Sequence, residues 1–142
     1  MFNIVVVGAD ESETASRAVQ AAAQIVQMSG GRLHIVTAYK PPKSTSASGL
    51  PEEFKHTVTA NPADMLLSDL SLMVKEMGID PVVHAAMSTP ADALVKVAED
   101  QHADLIVVGN KGMKGAKRVL GSVPNSVAHH APCSVLIVDT TG

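Results

Sequence analysis

The chain is predicted to fold as α/β, an open doubly wound parallel sheet of five strands with helices on both faces. Three observations predict it. Short apolar, β-branched runs alternate with segments of helical period along the whole sequence, and that alternation is the mark of βαβ units. The strongest runs, "NIVVVGA" and "ADLIVVG", are apolar throughout, as strands covered on both faces should be. Aromatic residues make up only 2% of the chain and Trp is absent, so the core must be built from Val, Ile, Leu, Ala and Met. The expected strand order is 3-2-1-4-5, with the first strand central and the fourth beside it.

The elements follow in order. "NIVVVGA" opens the sheet. Ser12 is a candidate cap for a helix whose inward stripe is Ala15, Ala18, Val19, Ala22, Ile25 and Val26, at the spacing of one helical face. "SGG" at Ser29 to Gly31 ends it, since glycine takes the left-handed conformation that closes a helix. The same tripeptide resembles the start of a phosphate loop in ATP-pyrophosphatases, but it follows the first helix where that loop would follow the first strand. "RLHIVTAY" alternates and reads as the second strand. Residues 41–60, rich in Pro, Ser and Thr, continue neither element and are expected to form a flexible surface excursion or lid.

Asn61-Pro62 starts the next helix, with Asn as cap and Pro at the first helical position. Its expected stripe is Ala63, Leu66, Leu70, Met73, Val74 and Met77, and Gly78 ends it. "PVVHAAM" is a third strand. Thr89-Pro90 repeats the helix start, with Ala91, Leu94, Val95 and Ala98 inward. "ADLIVVG" is the fourth strand. Val123, Val127, Ala128 and Ala131 mark a last helix ended by Pro132, and "SVLIVDT" is the fifth strand. All 142 residues form one expected domain, long enough to bury a core without metals or disulfides.

Bulk properties narrow the function. The net charge is −3, which argues against general nucleic-acid or membrane-surface binding. Stacking platforms for single strands need aromatics that this chain lacks. One cysteine, Cys133, cannot make an intramolecular disulfide, so a reducing, cytoplasmic location is expected. The N-terminus has no basic leader segment, and no apolar run reaches membrane-spanning length.

The richest stretch is "GNKGMKGAKRVLGSVPNS", from Gly109 to Ser126. The Walker pattern G-x-x-x-x-G-K-S/T and the dinucleotide fingerprint G-x-G-x-x-G are both absent. Here Gly109 follows the fourth strand directly, Gly112 comes three residues on, and Gly121-Ser122 opens the last helix. Glycines at a strand end turn backbone N–H groups toward a ligand, and a Ser-capped helix start adds free donors, so together they can cradle an anion. Lys111, Lys114, Lys117 and Arg118 add positive charge. An ordinary loop with solvated lysines fits the motif equally well. Position favours the cradle, because ligands of doubly wound sheets sit where the strand order reverses. Asp10 closes the first loop at that crevice, where a carboxylate can accept from ribose hydroxyls. It serves equally as a helix cap.

"VVVGADESETA", "ADLIVVGNKG" and "LGSVPNSVAHHAPCSVLIV" resemble the universal stress proteins of the UspA type over nearly the whole length. The family shares the adenine nucleotide alpha hydrolase-like fold. Its ATP-binding members carry G-x2-G-x9-G-S/T. Gly109, Gly112, Gly121 and Ser122 match that motif with eight residues, not nine, between the second and third glycines. The resemblance implies that Asp10 binds ribose and that the backbone near Ala38 meets adenine. Val108 and Gly109 would line base and ribose, and Gly112, Gly121, Ser122 and Val123 would hold phosphates. Gly8 stands where many members have Pro, and with Ala9 it completes the first loop. The expected ligand is ATP, with Mg2+ as an optional companion. Cyclic AMP is the alternative, since a shorter loop suits a smaller anion, and a nucleotide-free interaction protein is another. An enzyme of the same superfold would need a signature after the first strand that "VGADESE" does not supply. Catalysis is therefore not expected beyond slow ATP hydrolysis.

A homodimer through Ser134–Thr140 is expected too, since that strand lies at a sheet edge without Lys or Pro to block pairing. His129, His130 and Cys133 lie close in sequence, and the two histidines read as helix-end residues near the negative dipole end rather than metal ligands. No G-x-S-x-G elbow marks a hydrolase triad. Gly109→Val and Gly121→Val are expected to abolish nucleotide binding and leave the fold intact.

Overall fold

The structure, a computed structural model, describes residues 1–10, 15–39, 62–110 and 123–140. The expected helix caps Ser12, Asn61 and Ser122, the excursion at 41–60, and the loop residues Lys111, Gly112, Lys114, Lys117, Arg118 and Gly121 lie outside them. The described chain runs β1 (Ile4–Gly8), α1 (Ala15–Ser29), β2 (Arg32–Ala38), α2 (Pro62–Glu76), β3 (Val82–Ala86), α3 (Pro90–Asp100), β4 (Leu105–Gly109), α4 (Val123–His130) and β5 (Ser134–Val138). The strands form one sheet in the order β3-β2-β1-β4-β5, with every neighbouring pair parallel. That is the expected topology.

Two cores flank the sheet. Val5, Val7, Leu33, Ile35, Leu105 and Val107 pack against α1 and α2. Val6, Val36, Ile106 and Val108 point the other way and pack against Ala93, Leu94 and Ala98 of α3 and Val127 of α4. The central strands are thus buried on both faces, which is why they read as unbroken apolar runs. For β2 the alternation in sequence is not an alternation of exposure. Leu33 through Thr37 are all buried, because polar His34 and Thr37 are taken into the fold with the rest.

Helix stripes were placed correctly in phase and missed in detail. In α1, Ala23 is buried and Ile25 is only partly so. In α2, Leu67 is buried where Leu66 was expected, while Leu66, Met73 and Met77 pack at the margin. In α3, Ala93 joins Leu94 and Ala98, and Ala91 and Val95 are half-buried. In α4, Pro124 and Val127 are buried and Ala128 is exposed. A stripe covering a sheet is broad, so adjacent positions compete for the inward side.

The helix ends follow their punctuation. Gly30 takes φ 73° and Gly78 takes φ 83°, and the Gly30 amide donates to the Val26 carbonyl at 2.8 Å, as in a glycine-terminated helix. The Thr89 hydroxyl accepts from the Asp92 amide at 3.3 Å, with Pro90 next to the cap.

One anchor holds the start of the sheet. The Asp104 carboxylate accepts from the Asn3 amide at 2.8 Å and from the Ile4 amide at 3.0 Å. The Asp104 amide donates back to the Ile4 carbonyl at 3.0 Å. These bonds set the depth at which β1 enters beside β4.

Candidate functional site

The crevice forms where chain direction splits. Beyond β1, the Ala9 amide donates to the Val36 carbonyl of β2 at 2.9 Å. Beyond β4, the Asn110 amide donates to the Val138 carbonyl of β5 at 2.9 Å. Strands β1 and β4 are neighbours, yet the chain leaving one leans toward β2 and the chain leaving the other toward β5. A gap opens between them at the strands' carboxyl ends, the place where open α/β sheets take ligands.

The gap is a cleft with about 690 Å³ of empty space, its open mouth included. Gly8, Ala9 and Asp10 line it from β1, Ala38 from the end of β2, and Val108 and Gly109 from β4. Val123 and Pro124 of α4 and Pro90 and Leu94 of α3 close one side, and Ala15 and Ala18 of α1 the other. Seven sequence-expected site residues therefore converge: Gly8, Ala9, Asp10, Ala38, Val108, Gly109 and Val123. The other three, Gly112, Gly121 and Ser122, are outside the described residues.

Among the described lining residues only Asp10 and Thr140 carry polar side chains. Asp10 is exposed at the cleft, so its carboxylate is accessible to a ligand. The apolar remainder suits a flat, weakly polar ring. The arrangement offers a ligand apolar walls and one carboxylate that can accept hydrogen bonds.

The two cleft glycines act on the walls themselves. A Cβ on Gly8 would lie 2.9 Å from Leu94 Cδ1, and one on Gly109 would lie 3.0 Å from Thr140 Cγ2. Both contacts are with other lining residues, so the missing side chains let the walls close on the strand ends. Gly109→Val therefore displaces Thr140 as well as crowding the cleft, a packing effect that the sequence expectation did not contain.

Thr140 was missed as a lining residue. It is 1% exposed and follows the last strand, far in sequence from every glycine motif. Its amide and hydroxyl both donate to Asn110 Oδ1, at 3.0 and 3.2 Å, and its carbonyl accepts from Arg17 Nη1 of α1 at 2.9 Å. No sequence signal marks it, since its role rests on tertiary contacts.

The remaining candidates lie elsewhere. His130 Nδ1 bonds the Ser126 carbonyl one turn back at 2.9 Å, a helix-end arrangement. Cys133 is half-buried against the α3–α4 core, and burial, with the Asp104 charge second, pushes its thiol up. Among the described residues no three of His, Cys, Asp and Glu come together as a metal site would require. Nor is any described helix long and apolar enough to cross a membrane.

Fold and crevice define a class: a doubly wound α/β domain with a small-molecule cleft at its switch point. A model of the universal stress protein family matches residues 1–139, and the chain belongs to that family. It is 39% identical over 145 residues to the universal stress protein Rv1636 of Mycobacterium tuberculosis, covering 99% of this chain and 98% of the relative. The crystal structure of Rv1636 superposes with a TM-score of 0.63 at 36% identity, over 99% of this chain and 97% of that one. A universal stress protein solved in complex with cAMP superposes with a TM-score of 0.81 at 37% identity, over 99% of this chain and 98% of the other.

Proposed function

We propose that this protein binds an adenine nucleotide in the crevice between β1 and β4, and that binding rather than catalysis is its function. The observation that carries the reading is the cleft: one exposed carboxylate, Asp10, in an otherwise nearly apolar lining at the switch point. The base lies against Ala38 and Val108, the ribose hydroxyls donate to Asp10, and Gly109 admits the sugar. Gly112, Gly121, Ser122 and Val123 hold the phosphate.

Cyclic AMP is the leading ligand. The support is the 37% identical relative solved with cAMP, together with a glycine loop of eight intervening residues that suits a compact anion. ATP is the second ligand, supported by Gly109, Gly112, Gly121 and Ser122 in the order and nearly the spacing of the ATP-binding motif. Mg2+ would accompany only the triphosphate. Asp10 is the one titratable side chain in the described lining, whereas fast hydrolysis needs a positioned acid and base. The proposed role is that of a cytoplasmic, nucleotide-dependent stress regulator, dimeric through β5.

Calorimetry with cAMP, AMP and ATP on nucleotide-stripped protein tests this reading. The expected result is saturable binding, tightest for cAMP. Absence of heat with all three, and no nucleotide released on denaturing fresh protein, would point to an interaction protein instead. Rapid product in a single-turnover assay with labelled ATP would point to an enzyme.

A further inference from the structure

Asn110 is the first residue after β4, where the chain leaves for the glycine loop. Its side chain bonds the segment after β5 through both its oxygen and its nitrogen. Oδ1 accepts from the Thr140 amide at 3.0 Å and from the Thr140 hydroxyl at 3.2 Å, and Nδ2 donates to Asp139 Oδ1 at 3.0 Å. Its own amide donates to the Val138 carbonyl at 2.9 Å. Four bonds thus tie Asn110 to the last residue of β5 and the two residues that follow it.

The tie reaches the cleft on both sides. Thr140 lines the cleft, and its Cγ2 lies 3.0 Å from where a Gly109 Cβ would stand. Arg17 Nη1 donates to the Thr140 carbonyl at 2.9 Å, so the same residue is held by α1, whose first turn forms another wall. Moving Asn110 would move Thr140 and loosen the contact over Gly109.

We infer that Asn110 is a positioning residue for the cleft: bonded to Asp139, it fixes Thr140 over Gly109. Its effect on affinity rests on the proposed nucleotide reading, whereas its effect on Thr140 does not. The amide matters chemically because it accepts on one side and donates on the other. A carboxylate at this position could still accept from Thr140 but would meet Asp139 as a like charge.

The test is a reciprocal swap. Asn110→Asp should weaken cAMP binding about tenfold, the effect expected when a charge-assisted hydrogen bond becomes a repulsion. Asp139→Asn in the same chain restores a donor–acceptor pair and should return affinity to within about threefold of wild type, while Asp139→Asn alone should bind nearly as wild type. Wild-type affinity in Asn110→Asp overturns the inference, as does a folded double variant no better than the single one. If Asn110→Asp does not fold, the double variant decides: near-wild-type affinity supports the pairing, and a tenfold loss contradicts it.

Amide exchange in the ligand-free protein separates the two claims. The Thr140 amide should exchange faster in Asn110→Asp and return to the wild-type rate in the double variant. If the wild type binds no adenine nucleotide, the proposed function fails and the exchange rates alone decide the clamp. Unchanged exchange at Thr140 overturns it.

Discussion

Asp10 and Asp104 are single carboxylates at opposite ends of the central strands, and they do different work. Asp104 is structural: it accepts from the amides of Asn3 and Ile4, 101 and 100 residues earlier in the chain. Asp104→Ala should leave both donors without that acceptor and cost about 1–3 kcal/mol, read from the midpoint of urea unfolding; an unchanged midpoint would show that water replaces the carboxylate at no cost. Asp10 is exposed at the cleft, and we predict that Asp10→Asn weakens cAMP binding about tenfold by removing a charged acceptor, with far-ultraviolet circular dichroism unchanged. Wild-type affinity would remove Asp10 from the site. Asp10 was legible because it closes a strand in a recognisable motif. Asp104 and Thr140 were not, since their partners are main-chain groups and side chains remote in sequence.

At the scale of elements, strands β2 and β3 are joined by an unusual pair. His34 Nδ1 and His84 Nε2 are 2.9 Å apart and their rings stack at 5.2 Å. One nitrogen must donate and the other accept, so a doubly protonated pair cannot keep this bond. Burial lowers the pKa of His34 most, with positive His84 and Arg32 adding to it, and burial likewise lowers that of His84. The unfolded chain therefore binds protons more readily than the folded one. The stability from the neutral pair is fully present above the ordinary histidine pKa of about 6.5 and is lost as pH falls below it. The melting temperature should drop between roughly pH 7 and pH 5, and His84→Gln should flatten that drop. Equal slopes in both proteins would contradict the assignment. This pair was not legible in the sequence, because pairing across β2 and β3 depends on register. Element type and order were legible from periodicity and from Pro and Gly punctuation. The choice of Leu67 over Leu66 was not, since helix rotation against a sheet is fixed by the packing of the whole layer.

For the whole molecule, strand order explains why a crevice exists and why two edges remain. Edge strand β5 leaves Leu136 39% and Ile137 38% exposed and carries neither Lys nor Pro. Such an edge invites pairing with a second copy. Ile137→Lys should convert a dimer to a monomer in sedimentation velocity without loss of secondary structure, and a wild-type monomer would refute dimerisation through β5. The topology was readable in advance because the runs of β1 and β4 are apolar and buried on both faces and each connection carries a helix. The phosphate end of the cleft was legible only as a motif, and the walls made by Leu94 and Thr140 became evident only in three dimensions.

Occupation of the crevice between β1 and β4 by an adenine nucleotide is what we propose. The most direct measurement is a backbone amide NMR titration of nucleotide-free protein with cAMP. We expect saturable shifts concentrated at Gly8, Ala9, Asp10, Ala38, Val108 and Gly109, all of which line that cleft. No shifts, or shifts confined to the β3 or β5 edge, would contradict it.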